Sequence, residues 1–193
     1  VVLESLPVLT ELDVNATARL VLTHFAELND QVLAQLASRP ELQFRYLKGI
    51  MKGATGTGQD ASAASISALL QRSDDTLVTE AMCETYVELL CRFEPVNVRQ
   101  FLEAAEQYNL ERCLALCRQH GVDDATAYLL ERTGNVAEAL SITLRLLDRA
   151  VKQAMAYLSD ASLSNAAWRA LDAAIDLCRR NTHGADAENE VMW

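Results

Sequence analysis

The 193 residues carry a formal net charge of −10, and half of them are hydrophobic, with 23% charged and 6% aromatic. This much apolar material is enough for one or two packed units, while the acid excess repels nucleic-acid phosphates and anionic membrane surfaces. No apolar run approaches the ~18–20 residues that a bilayer-spanning helix needs, so neither nucleic-acid binding nor direct membrane insertion is expected.

Leu and Ala dominate the apolar set, and Gly (7) and Pro (3) are scarce, which favours helix throughout and an all-α fold. The five cysteines are an odd number scattered over helix-like segments. That is no disulfide framework, and a reducing, cytoplasmic compartment is expected. The chain begins at Val1 and stops at Trp193, after Val191 and Met192, so it is expected to be a piece of a longer protein.

In chain order, the first predicted helix runs from about Val14 to Leu28, with Ala18, Val21, Leu22 and Phe25 at helical spacing and Asn15 as its possible cap. Asn29 or Asp30 is placed to cap the second, which carries Val32, Leu33 and Leu36. Pro40 interrupts the pattern, and Leu42, Phe44, Tyr46, Leu47, Ile50 and Met51 resume it up to Gly53. Residues 53–75 then turn small and polar. Gly58 is followed by Gln59 and Asp60, not by the Lys and Ser or Thr of a phosphate-binding loop. A flexible Gly/Ser/Ala-rich insertion is therefore expected there.

A strong helix follows, with Val78, Met82, Tyr86, Leu89 and Phe93 on one face and Pro95 at its end. Beyond it are predicted helices from Val98 to about Tyr108, Leu110 to His120, Asp123 to Thr133, Val136 to about Leu158 and Asn165 to Arg180. Gly121 and Gly134 stand where a helix C-terminus needs a left-handed residue. "NLERCLAL" from Asn109 overlays "NVAEALSI" from Asn135 at an offset of 26, pairing Cys113 with Ala139 and Leu114 with Leu140. Such loosely repeating helix pairs read as an α-solenoid.

The helix from Val136 carries two apolar stripes, one with Leu140, Leu144, Leu147 and Val151, the other with Ile142, Leu146 and Ala150. A helix sandwiched between neighbours needs both. On the last helix, Trp168, Leu171, Ile175 and Cys178 form one side and are expected to pack against the long helix. The expected organisation is a helical part at 1–52, the insertion at 53–75, a helical repeat segment at 76–182 and a mobile tail at 183–193.

Cys113, Cys117 and His120, spaced four and three apart, share one helix face and invite a metal or reactive-thiol reading. A structural zinc needs a second ligand pair, and Cys83, Cys91, Cys178 and His183 have no suitable spacing to supply it. The Ala139 aligned with Cys113 points instead to a small buried slot, with His120 on the surface or complementing the helix dipole. Asp123 and Asp124 begin a helix, where negative charge is favoured, Glu131 and Glu138 fit exposed faces, and His24 reads as a partly buried helix histidine. No catalytic, cofactor-binding or metal-binding residue is assigned, and no enzyme is expected.

Three stretches, "ELQFRYLKGIM" from Glu41, "YVELLCRFEP" from Tyr86 and "ATAYLLERTGNVAEAL" from Ala125, resemble the clathrin-heavy-chain-type helical repeat of membrane-tethering proteins. Among these the sequence is most similar to the family of vacuolar protein sorting-associated protein eight, a subunit of the CORVET endosomal tether. The resemblance covers about Leu42 to Met51 and Tyr86 to Leu147, and residues 53–75 depart from it.

It implies a large cytoplasmic protein, peripheral on endosomal membranes, with a propeller, a long solenoid and a RING-type zinc module. It further implies class C core subunits as partners, a Rab GTPase bound through parts absent here, no cofactor in this segment, and a role in endosome fusion and transport to the vacuole or lysosome. The alternatives are clathrin heavy chain, another class C tethering subunit, a tetratricopeptide adaptor, whose repeat would be 34 rather than 26 residues, and a helical enzyme fragment using the Cys113–Cys117 face.

Overall fold

The computed structural model describes residues 8–54, 78–105, 107–156 and 161–189, and every regular element among them is helical. The fold is an all-α solenoid segment, as the scarcity of helix breakers predicts. Contacts divide the chain into two compact units, Val1–Cys113 and Leu114–Trp193. The expected insertion at 53–75 lies, from residue 55 on, outside the described residues, and the helices flanking it pack together within the first unit.

The first unit contains a helical stretch at 8–12, then α1 (Val14–His24), α2 (Asn29–Leu36), α3 (Pro40–Ala54), α4 (Glu80–Phe93) and α5 (Val98–Ala104), with 3-10 turns at Ala26–Leu28 and Pro95–Asn97. Asp13, not Asn15, caps α1, its carboxylate accepting from the Ala16 N–H at 2.9 Å. That helix stops at His24 rather than Leu28 because Phe25 leaves the helical region, at φ −143° and ψ 37°. Pro40 opens α3, where its missing N–H costs nothing. Thr79 caps α4 through the Met82 N–H at 3.3 Å.

The core of this unit takes Val21 and Leu22 from α1, Val32 and Leu36 from α2, Leu47 and Ile50 from α3, and Met82 and Leu90 from α4. Burying each such side chain contributes about 1.5–3 kcal/mol. Rings join three helices: Phe44 stacks on Tyr86 with centroids 5.9 Å apart, and Tyr86 meets Phe101 edge-on at 4.9 Å. The predicted stripe on α4 is realised, with Met82, Tyr86 and Leu89 buried.

α6 (Leu110–His120) carries the division between units, which falls between Cys113 and Leu114. The second unit continues with α7 (Asp123–Arg132), α8 (Val136–Ala156) and α9 (Ala161–Asn189). Both glycine turns form as the sequence requires. Gly121 and Gly134 have φ of 68° and 83°. At each, the next N–H reaches back five residues, Val122 to the Cys117 carbonyl and Asn135 to the Leu130 carbonyl, both at 2.9 Å. These are Schellman closures, which satisfy the last carbonyls and reverse the chain within a few residues. Ala127, Leu130, Ala139, Ile142 and Leu177 form the shared core of α7, α8 and α9.

α9 runs from Ala161 to Asn189, beyond the predicted Asn165–Arg180 at both ends and into the segment expected as a tail; residues 190–193 lie outside the described residues. It packs along α8 as expected, but through a different face. Ala174 and Leu177 are buried, whereas Trp168 is 61% exposed and Ile175 and Cys178 point outward. The buried Ala174 and half-buried Ala170 are small, and small side chains permit closer helix packing than an indole would.

Candidate functional site

The helix brings Cys113, Cys117 and His120 onto one side of α6, but the tertiary structure separates their environments. Cys113 and Cys117 are fully buried, while His120 is exposed in the last turn before Gly121. Cys113 lies instead near two thiols distant in sequence, Cys83 and Cys91. Burial, then the Glu84 carboxylate, then these thiols push Cys113 up to about 12. Burial, with the Glu80 and Glu84 carboxylates, pushes Cys83 up to about 11. A thiol so held stays protonated at neutral pH and is a poor nucleophile or metal ligand. Among the described residues, no group of three His, Cys, Asp or Glu could hold a metal ion.

His24, expected to be partly buried, is exposed on the last turn of α1, beside Phe25 at a ring-centroid distance of 6.4 Å. Asp123 begins α7 and pairs with Arg149 at 3.4 Å, and Glu138 is exposed and pairs with Arg118 at 2.7 Å.

Glu131, expected on an exposed face, is largely covered. It accepts two parallel bonds from the Arg180 guanidinium at 2.8 and 2.9 Å and a third from the Asn181 amide at 3.2 Å. Asn181 Nδ2 also donates to the Leu177 carbonyl at 2.9 Å. This fork fixes α9 against α7 and sets which face of α9 turns inward. The sequence offered one signal for it: Ala170, Ala174, Leu177 and Asn181 recur at helical spacing.

Among the described residues, an open hollow of about 520 Å³ on α9 is lined by Asn165, Trp168, Arg169 and Asp172, and large apolar side chains are exposed on several helices. Val8 and Leu12 are exposed in the first unit. In the second, Leu144, Val151 and Met155 are exposed on α8, and Trp168 and Ile175 on α9. On α8 and α9 these exposed apolar side chains recur at roughly helical spacing. Among the described residues, no helix is long and apolar enough to cross a membrane.

Comparison with known proteins decides what kind of helical array this is. The family model described as the Vps41 TPR-like region matches residues 63–176, more than half of the chain. The chain belongs to the Vps41 TPR-like family. Within and around this family, it is 27% identical over 181 residues to the vacuolar protein sorting-associated protein 8 homolog of Mus musculus, covering 91% of this chain and 12% of that protein.

The Homo sapiens protein of the same name is 28% identical over the same length, with the same coverage. The vacuolar protein sorting-associated protein 41 homolog of Homo sapiens is 28% identical over 125 residues, 63% of this chain and 12% of that protein. The chain thus spans about an eighth of the length of these curated relatives. No solved structure matches it significantly. The resemblance to the vacuolar protein sorting-associated protein eight family is upheld, and a TPR-like region fits the expected all-α solenoid, although the 26-residue offset argues against a 34-residue tetratricopeptide period.

Proposed function

We propose that this chain is a non-enzymatic, structural and protein-interaction segment of an endosomal vesicle-tethering subunit of the Vps8 type. The observation that carries the reading is the similarity to Vps8 homologs over 91% of the chain. The architecture supports it: each unit has its own apolar core, with the ring stack around Tyr86 in the first and the Glu131–Arg180 fork in the second. A spacer built from such helical units does mechanical work. It holds membrane-binding and partner-binding ends at a set distance while vesicles approach, in endosome fusion and endosome-to-vacuole transport.

On this reading the partners are class C core subunits of the tether, a Rab GTPase is engaged through parts outside this chain, and the protein is peripheral on endosomal membranes. A Vps41-type subunit is the second reading, favoured by the family model over residues 63–176 but covering less of the chain in the pairwise match.

The test is affinity purification of the full-length gene product from native lysate, followed by mass spectrometry. Recovery of class C core subunits is expected. Recovery of clathrin light chains, or of no trafficking protein, would overturn the reading.

A further inference from the structure

We draw no further inference here: the strongest candidate, the exposed apolar stripe of Trp168 and Ile175 along α9 with the open hollow lined by Asn165, Trp168, Arg169 and Asp172, carries nothing because nothing in the structure shows what covers it.

Discussion

The Tyr46 hydroxyl donates to Asn29 Oδ1 at 2.8 Å, with both side chains buried, and Asn29 Nδ2 donates in turn to Met82 Sδ at 3.3 Å. One amide thereby links α2, α3 and α4 on both sides of residues 55–77. Nearby, Gln43 Nε2 donates to the Leu33 carbonyl at 3.1 Å. Tyr46→Phe leaves a buried acceptor without its donor and is expected to cost about 1–3 kcal/mol. Denaturant unfolding of the two proteins checks this, and a change within error would show that the link contributes nothing.

Alkaline pH should weaken the first unit. Cys83 and Cys113 are held at about 11 and about 12 against an ordinary value of 9.0, and burial pushes the Tyr46 and Tyr86 phenols well above their ordinary 10.0. Each raised group contributes stability that is complete below its unfolded value and is lost as pH rises towards its folded value. Unfolding midpoints are expected to hold steady up to about pH 8 and to fall between pH 9 and 11. Replacing Cys83 and Cys113 with Ala should flatten the early part of that fall.

Gly134 takes φ 83° at the end of α7. Gly134→Ala forces a side chain into the left-handed region and is expected to cost about 1–2 kcal/mol. Thermal melts of this variant beside an Ala substitution at exposed Gln153 separate backbone strain from a general effect of substitution.

The two faces of α9 should respond oppositely to truncation in the 193-residue chain. Leu177→Ala opens the shared core and is expected to cost about 2–5 kcal/mol. Ile175→Ala, on the outward face, should change stability by less than about 0.5 kcal/mol. Equal losses would mean that α9 is rotated from the position described.

Thiol labelling of the same native chain should mark Cys178 well before the four buried cysteines. If Cys113 or Cys117 reacts as fast as Cys178, the burial described for α6 is wrong.

Much of the fold was legible because helices declare themselves locally. The stripe of Met82, Tyr86 and Leu89 and the positive φ at Gly121 and Gly134 depend only on residues within a few positions of one another. The break of α1 at Phe25 was not legible, because Phe25 fits the apolar period of the helix it ends. Asn29 was misread as a cap for a similar reason. Its preference for caps is local, and it was overridden by Tyr46 and Met82, which are distant in sequence.

The candidate site divides along the same line. Sequence spacing alone put Cys113, Cys117 and His120 on one helix face, and the pairing of Cys113 with Ala139 already marked a small buried slot. Only the tertiary structure brought Cys83 and Cys91 near Cys113, covered Glu131 with Arg180 and Asn181, and turned Trp168 and Ile175 outward. Helical periodicity tells which residues share a stripe, and every stripe rich in Leu, Ile or Trp looks equally fit for burial. Which stripe goes inside is decided by close approach and by charge pairs that neighbouring helices supply, and those neighbours lie tens of residues away along the chain.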